Sequence, residues 1–490
     1  MNSDIYKEII ICNRFSKSSN PSRKIHEQAL SDKARIVYSS AFRRLQSKTQ
    51  VFALSPNAAI RSRLTHSIEV ASVGRWIAEK VMDSCDELEY ELKSTIPILV
   101  ETGCLAHDIG NPPFGHFGED AIKKWFQDNG DNILTRSIGT PLAKKPETLL
   151  LLKDFYEFDG NPQGIRILTR LQGLTKSDRI NKGMNLMCSQ ILTCLKYPQN
   201  PSDSKNHWKK PGYFLSEVDR IEFCWKVIPN YKSLKRFPLA YIVEAADDIS
   251  YCLSDLEDGI DERLITAFNI FTALNGWSET KSSSESMKEL RKTIREIQNK
   301  NGSENARDQY LLFKTKCTNA LIERAAEIYI SKHEQLLSGD IKSLFEEDSD
   351  EDRLLKTLKK LASIWIYPSN SVELTFLSGE RIIQGILDAY RPILELQKEN
   401  FDLLCEAAAT GDRTRIKSQN CGMMLPIFNR LPQAYVEVYK AHLEKNSTYD
   451  KNIWEWFCRA HLVVDFISGM ADNYAMHFYE ILSGRKASYD

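Results

Sequence analysis

Apolar residues along the chain recur mostly three or four positions apart, the spacing at which side chains share one face of an α-helix. The pattern is clear at residues 64–77, 96–105 and 239–249, whereas the alternating runs typical of strands are few. The chain also shows no internal repeat and no long low-complexity linker. The pattern therefore predicts an all-α fold, built as one large unit over residues 1–490.

Three polar stretches interrupt the helical pattern, at residues 128–147, 197–213 and 278–307. They are rich in residues that favour turns, such as Gly, Pro, Asn and Ser. The sequence therefore predicts surface loops at these places.

The composition is that of an ordinary globular chain, with 490 residues, 42% hydrophobic and 27% charged. The eleven cysteines include no C-x-x-C pair, which indicates reduced thiols. The first residues lack a signal-peptide pattern, and no stretch approaches the roughly eighteen apolar residues of a membrane span. The net charge of −1 argues against a dedicated nucleic-acid binder. We expect a cytoplasmic protein with no membrane partner.

The segment CLAHDIGNPPFGHFGED, residues 104–120, is the densest cluster of chemically useful side chains. An apolar helix is predicted to run into His107 and Asp108 and to break at the glycine and prolines that follow. Taken alone, a His and an Asp at a helix end more often serve as a cap and its partner than as ligands. Their side chains diverge by about 100° around the helix, so a shared ion needs ligands from other segments.

Two other segments offer such ligands. RLTHS places His66 early in an amphipathic helix, and EAADDISY places Asp247 in mid-helix beside small alanines. Two imidazoles and two carboxylates suit Mn²⁺, Fe²⁺, Co²⁺ or Zn²⁺ better than an all-oxygen magnesium cage, although Mg²⁺ is compatible with a phosphate site. Asp247 also shares a helix face with Tyr251 and Asp255, at i, i+4 and i+8, which predicts either a ligand pocket or a half-exposed helix.

Together these motifs resemble the bacterial deoxyguanosinetriphosphate triphosphohydrolases of the HD-domain superfamily. The resemblance covers most of the chain, through RLTHS, HDIGNPPFGHFGE, EAADDISY, RIVYSSAFRRLQSKTQVF, FDGNPQGIRIL, KKPGYFLSE and DFISGMADNYA. It implies an HD-domain helical core at about residues 60–260, with peripheral helical insertions, and a C-terminal helical region at about 261–490.

The resemblance also implies roles for individual residues. The metal, Mn²⁺ or Mg²⁺, is held by His66, His107, Asp108 and Asp247. His116 and Glu119 form the catalytic pair, and their i, i+3 spacing allows contact on one helical turn. Glu119 then holds the His116 ring and favours its protonated form, so that His116 can protonate a departing alkoxide. Without the resemblance, a capping arrangement after Gly115 would explain the pair equally well.

The same resemblance supplies the substrate contacts. Gln50 contacts the base, and Tyr251 and Asp255 on the shared helix face contact the deoxyribose. The phosphates are bound by three cations and the amide of Asn161. The residues concerned are Gln50, Arg63, Asn161, Lys196, Lys210, Tyr251 and Asp255. Taken singly, each Lys or Arg is more often a solvated surface cation.

The implied reaction is hydrolysis of dGTP to deoxyguanosine and inorganic triphosphate, in which water attacks the α-phosphorus and the 5′-oxygen leaves. Alternatives within the superfamily are a broader dNTP triphosphohydrolase, a nucleoside 5′-monophosphatase or a cyclic-nucleotide phosphodiesterase. An alternative of another class is a nucleotide-sensing regulator that binds single-stranded DNA through the basic stretches 43–48 and 413–420, although solvated loops explain both stretches more simply.

The resemblance further implies a homo-oligomer, with single-stranded DNA as an effector. C-terminal aromatic residues either cover a subunit contact or belong to the core. They are Trp454, Trp456, Phe457, Tyr474 and Phe478.

Overall fold

The computed structural model describes residues 3–18, 20–53, 57–140, 147–173, 182–203, 207–228, 235–282, 284–299, 306–412, 414, 422–444 and 449–486. In these ranges the only extended pairing is an isolated antiparallel bridge between Thr49 and Ser62. The prediction of an all-α fold is confirmed.

The helices of the first half of the chain are α1 (Ser3–Ile9), α2 (Ile25–Val37), α3 (Ser40–Arg44), α4 (Arg63–Asp83), α5 (Tyr90–Ala106), α6 (His116–Ile138), α7 (Glu147–Tyr156), α8 (Gly160–Arg166), α9 (Cys188–Cys194), α10 (Val218–Val227) and α11 (Pro238–Asp261). Short 3₁₀ turns lie at Leu45–Ser47 and Leu215–Glu217, and a π-helical turn follows α8 at Ile167–Leu171.

The second half contains α12 (Ala267–Ala273), α13 (Asn275–Ser278), α14 (Glu285–Asn299), α15 (Ala306–Ser331), α16 (His333–Ser338), α17 (Asp350–Trp365), α18 (Asn370–Glu395), α19 (Lys398–Thr410), α20 (Leu425–Phe428), α21 (Gln433–Leu443), α22 (Lys451–Ser468) and α23 (Asp472–Leu482). A 3₁₀ turn at Gly422–Met424 precedes α20.

The chain divides into two compact units, each built from separate stretches of sequence. Unit 1 contains Met1–Asp108, Leu186–Pro198 and Ile221–Thr375, and unit 2 contains Ile109–Asn185, Gln199–Arg220 and Phe376–Asp490. Both units therefore draw on the predicted HD core and on the predicted C-terminal region.

In unit 1, the three helices that carry the predicted metal ligands, α4, α5 and α11, pack directly against one another. α4 begins after Ser62, whose hydroxyl accepts the N–H of Thr65 as a helix cap. Gly74 lies where the helices meet, since a methyl group there would stand 2.5 Å from Cys104 Sγ and 3.3 Å from Ala246 Cβ. This close approach of the helices brings the predicted metal-ligand residues of α4, α5 and α11 near one another.

The predicted ends of these helices are also found. α5 ends at Ala106 and His107 forms its C-cap, so the His-Asp pair lies at a helix end as the sequence predicts. α11 has Pro238 in its first turn, where a missing N–H costs nothing. Its apolar stripe of Leu239, Ile242 and Val243 is buried.

In unit 2, the core is formed where α6, α7 and α22 pack together. Phe155 lies at its centre, with its ring centroid 4.7 Å from Phe126, 5.8 Å from Phe457 and 6.1 Å from Trp456. Trp456, Phe457 and also Phe478 are buried. For these three C-terminal aromatic residues the structure favours the core interpretation.

Two of the predicted loops are partly wrong. α6 continues to Ile138, so residues 128–138 are helical, because Ile133 and Leu134 extend its buried face. The stretch 278–307 contains α14, whose buried Met287 and Leu290 follow helical spacing despite polar neighbours. No helix lies in the described parts of 197–213. Among the described residues, none of the helices has the length and apolarity to span a bilayer.

Candidate active site

Three of the predicted metal ligands form a compact cluster in unit 1. His66 Nε2 lies 3.5 Å from Asp247 Oδ1, and His107 Nε2 lies 3.6 Å from the same oxygen. One ligand atom from each of the three residues lies within 4.8 Å of the others. The rings of the two histidines meet edge to face, with centroids 5.4 Å apart. Helices α4, α5 and α11 thus bring residues distant in sequence to one point.

The hydrogen bonds of His107 direct one ring nitrogen into this cluster. Its Nδ1 donates to the carbonyl of Cys104 at 2.6 Å, which leaves Nε2 as the atom with a free lone pair. That Nε2 is buried and has no hydrogen-bond partner. A buried, unpartnered imidazole nitrogen facing a carboxylate fits a divalent cation.

The remaining predicted ligand, Asp108, lies at the edge of the cluster. Its Oδ2 is 3.6 Å from His107 Nε2, and it accepts a 2.7 Å hydrogen bond from Arg63. Burial raises the pKa of Asp108, but the electrostatic influence of Arg63, His107 and His66 outweighs burial and holds the pKa below its ordinary range. Asp108 is therefore ionised, as a metal ligand must be.

Charges also keep Asp247 ionised. Burial raises its pKa, but Lys196, whose Nζ lies 3.3 Å from Oδ2, and the two imidazoles lower the pKa well below the ordinary value. For His66 the balance is reversed, because burial lowers its pKa while Asp247 and Asp108 raise it above the ordinary value. A metal ion would have to displace a proton from His66, so we expect metal affinity to fall at acid pH.

The α11 residues predicted to bind the sugar lie in the same unit. Tyr251 and Asp255 are joined by a third residue, Tyr367: the hydroxyls of the two tyrosines are hydrogen-bonded, and Tyr367 donates to Asp255 Oδ2 at 2.9 Å. Asp255 is buried at 1% exposure. The sequence does not point to Tyr367, since it follows α17 in the segment IWIYPSN, which belongs to none of the recognised motifs.

Gln50 lies on a short segment fixed against the start of α4. Thr49 pairs with Ser62 in the isolated bridge, and the N–H of Arg63 donates to the carbonyl of Lys48 at 3.0 Å. The side-chain carbonyl of Gln50 is buried without a hydrogen-bond partner. Its acceptor is thus available to a ligand.

The predicted catalytic pair lies in unit 2, at the beginning of α6. His116 Nδ1 is 3.0 Å from Glu119 Oε2, as the i, i+3 spacing predicts. Glu119 is buried, and its other oxygen accepts the N–H of Gly160 at 3.0 Å, whereas the His116 side chain is 67% exposed. The buried carboxylate is held at both oxygens and orients an accessible imidazole.

Two predicted phosphate contacts, Asn161 and Lys210, meet around Asp159 in the same unit. Asp159 Oδ1 accepts from both the backbone and the side-chain nitrogen of Asn161, at 2.9 and 2.6 Å. Lys210 Nζ lies 2.7 Å from Asp159 Oδ2. One buried carboxylate therefore orients an amide and a cation together.

Comparison with known proteins places this chain in a family. A model of the HD domain matches residues 63–161. A deoxyguanosinetriphosphate triphosphohydrolase of Klebsiella pneumoniae subsp. pneumoniae is 36% identical over 497 residues, which cover 92% of this chain and 93% of that protein. One from Enterobacter sp. (strain 638) is 34% identical, covering 95% of both chains, and a probable one from Pseudomonas aeruginosa is 35% identical, covering 93% of both.

The chain belongs to the deoxyguanosinetriphosphate triphosphohydrolase family. The resemblance seen in its motifs is thereby confirmed, as is the assignment to the HD superfamily and to the hydrolases. HD-domain proteins of this kind are metal-dependent hydrolases, which agrees with the His and Asp cluster of unit 1.

The matched HD domain contains some of the predicted site residues and not others. Arg63, His66, His107, Asp108, His116, Glu119 and Asn161 lie inside residues 63–161. The others, Gln50, Lys196, Lys210, Asp247, Tyr251 and Asp255, lie outside it. They rest on the wider family resemblance, which spans nearly the whole chain.

Asp255 gives a prediction about pH for this member of the family. Burial raises its pKa to about 7, against which the Tyr367 hydrogen bond acts only in part. The folded protein therefore holds this proton more tightly than the unfolded chain. Its contribution to stability is fully present below about pH 4, the unfolded pKa, and is lost as pH rises through 7. In metal-free wild type we expect the free energy of unfolding to fall by up to about 1.4 kcal/mol per pH unit between pH 5 and 6.5. Asp255→Asn should lack this fall.

Urea unfolding of wild type and Asp255→Asn at pH 5, 6, 7 and 8, in the presence of a chelator, measures this slope. Asp120→Asn is the control, since the Asp120 side chain is 67% exposed. If the free energies of unfolding of wild type and Asp255→Asn change in parallel with pH, the inferred state of Asp255 is wrong.

Proposed function

We propose that this protein hydrolyses dGTP to deoxyguanosine and inorganic triphosphate in a metal-dependent reaction. The observation that carries the proposal is the cluster of His66, His107 and Asp247, with a buried unpartnered imidazole nitrogen at its centre. Its relatives, named deoxyguanosinetriphosphate triphosphohydrolases and aligned over more than nine tenths of the chain, indicate the substrate.

His66, His107, Asp108 and Asp247 would hold the ion, and we propose Mn²⁺ or Mg²⁺. A divalent ion bound there supplies charge neutralisation at the α-phosphate and lowers the pKa of water. The chain itself contributes Arg63 and Lys196, which pair with Asp108 and Asp247 and can turn to phosphate oxygens. Charge-assisted hydrogen bonds of this kind are the usual means of holding a polyphosphate.

Unit 2 contributes its own groups to the proposal. Asn161 and Lys210, held by Asp159, offer an amide and a third cation for phosphate oxygens. His116, oriented by Glu119, is the proposed proton donor to the 5′-oxygen. A protonated imidazole is suited to this task because its pKa lies near neutral pH.

Selectivity for the nucleoside is assigned to unit 1. Gln50 presents an unpartnered carbonyl to the base, and an amide can both donate to and accept from a purine edge. Tyr251 and Asp255, joined through Tyr367, would pack on the deoxyribose and accept from its 3′-hydroxyl. Tyr251 packed against C2′ would leave a 2′-hydroxyl without space, so we propose discrimination against ribonucleotides.

The product mixture tests the proposal. Purified protein is incubated with dGTP, the three other dNTPs, GTP, dGMP and a cyclic nucleotide, each with Mn²⁺ or Mg²⁺, and products are separated by ion-exchange chromatography. We expect deoxyguanosine and intact triphosphate from dGTP, at rates well above those from the other nucleotides. Equal rates on all dNTPs would indicate the broader triphosphohydrolase. Phosphate from dGMP would indicate a nucleoside 5′-monophosphatase, and opening of the cyclic nucleotide would indicate a phosphodiesterase.

The proposal extends to a cytoplasmic location and to a homo-oligomer whose activity responds to single-stranded DNA. The described cysteines are all free thiols, which supports a reducing compartment. Of the two basic stretches named for DNA, 413–420 lies outside the described residues except for residue 414. In the other, Arg43 donates to the carbonyl of Tyr38, whose ring is exposed. Turnover measured with and without an oligonucleotide, at two salt concentrations, tests this part.

A further inference from the structure

The turn that leads into α6 has an unusual backbone. Phe114 has φ of +61°, which is uncommon for a residue with a bulky side chain, and Gly115 follows with φ of +58° and ψ of −131°. A non-glycine residue in this region is strained and persists only when its surroundings fix it. Because His116 comes next, this turn sets the direction in which the imidazole leaves the backbone.

The strained residue is fixed by the motif DFISGMADNYA at 465–475. The N–H of Phe114 donates to Asp472 Oδ1 at 3.0 Å, and both residues are buried, at 4% and 1% exposure. The Phe114 ring also packs against Gly379, where an added methyl group would lie 2.8 Å from the ring. The backbone hydrogen bond and the ring contact together hold the turn.

The same motif fixes the segment that contacts Glu119. Asp465 accepts from Arg166 through both oxygens at 2.8 Å and from Gln163 at 3.0 Å. These two residues belong to α8, which begins at Gly160, the residue whose N–H contacts Glu119. One C-terminal segment thus anchors both the turn before His116 and the helix behind its carboxylate partner.

We propose that Asp472 is a positioning residue for His116, acting through the backbone of Phe114. The inference rests on the proposed role of His116 as proton donor. This role requires an acceptor oxygen at the position of Asp472 Oδ1, which receives the N–H of Phe114. It does not require the negative charge of the carboxylate. Loss of the acceptor lets Phe114 relax toward negative φ and turns His116 away from the leaving oxygen.

This distinction gives a test with opposed variants. Asp472→Asn keeps an acceptor oxygen in place without the charge, whereas Asp472→Glu keeps the charge and moves the acceptor by one methylene. We expect Asp472→Asn to retain kcat within about threefold, and Asp472→Glu and Asp472→Ala to lose about 10- to 100-fold in kcat with KM and Mn²⁺ binding unchanged. If the charge of Asp472 were what matters, Asp472→Glu would retain more kcat than Asp472→Asn. If Asp472 served only overall stability, the variants would change the melting temperature and leave kcat unchanged.

The matched control is Asp450→Ala. Asp450 also accepts backbone N–H groups in unit 2, those of Asn452 and Ile453, but as the cap of α22. It should lower the melting temperature and leave kcat unchanged. Wild-type kcat in a folded Asp472→Glu, or a loss confined to KM, overturns the inference.

Crystal structures of Asp472→Asn and Asp472→Glu provide a readout that needs no substrate. We expect the positive φ of Phe114 to persist in the first and to relax in the second, with a displaced His116 ring. Failure of wild type to release triphosphate would defeat the proposed function. An unchanged turn in Asp472→Glu would defeat this inference, whatever the activity.

Discussion

Replacing Asp247 by Asn is expected to abolish metal binding and turnover together. Asp247 Oδ1 is the atom that faces both His66 and His107, and its negative charge is kept by a pKa well below the ordinary value. Asn has nearly the same shape but offers a neutral oxygen. Since a divalent ion bound there would supply several kcal/mol of transition-state stabilisation, turnover should fall by more than about 10³-fold. Mn²⁺ titration followed by electron paramagnetic resonance measures the bound metal, and triphosphate release measures turnover.

The neighbouring acid provides a matched control for this variant. Asp248 is one position further along α11, yet it accepts from Lys359 at 2.8 Å instead of facing the histidines. Asp248→Asn should therefore retain Mn²⁺ binding. If Asp247→Asn binds Mn²⁺ as tightly as wild type, the ion is held elsewhere and the proposed centre is wrong.

The residues that sequence could predict are those with strong local signals. His66 lies in the first turns of a helix that Ser62 caps, and His107 lies where a glycine and two prolines end another helix. Such signals lie within a few residues of the side chain concerned. The spacing of Asp247 and Asp255 on α11 follows from helical geometry alone. The amino-acid sequence therefore suffices to place these residues on their helices, whereas their proposed role as ligands of one ion rests on the family resemblance.

The residues that sequence could not predict act over long separations. Tyr367 reaches Asp255 across 112 positions, Gly160 reaches Glu119 across 41, and Asp472 reaches Phe114 across 358. No periodicity or motif spacing encodes such contacts, because they depend on how whole helices pack. The error at α14 has a different origin: its apolar positions do follow helical spacing, but lysines and serines around them gave the stretch the composition of a loop.

Replacing His116 by Ala is expected to remove turnover while leaving the metal centre intact. The His116 ring is held by Glu119, itself fixed through the N–H of Gly160, so the imidazole is oriented in the protein before substrate arrives. Loss of a positioned general acid typically costs 10²- to 10⁴-fold. We expect a fall in kcat of that size, with Mn²⁺ affinity unchanged, because no ligand of the proposed centre is altered.

The chain offers a close control for this variant in unit 2. His477 and Glu480 form the same i, i+3 pair, with Nδ1 3.2 Å from Oε2, and no role in the reaction is assigned to them. His477→Ala should leave kcat unchanged, which separates the loss of a particular acid from the loss of any histidine and glutamate pair on a helix.

Substrates with better leaving groups provide a second test of the role of His116. If His116 donates the proton to the 5′-oxygen, a nucleotide whose leaving oxygen is already acidic needs less help, so the deficit of His116→Ala should shrink with it. An equal deficit for both substrates would assign His116 to phosphate binding instead, and full turnover by His116→Ala would remove it from the mechanism.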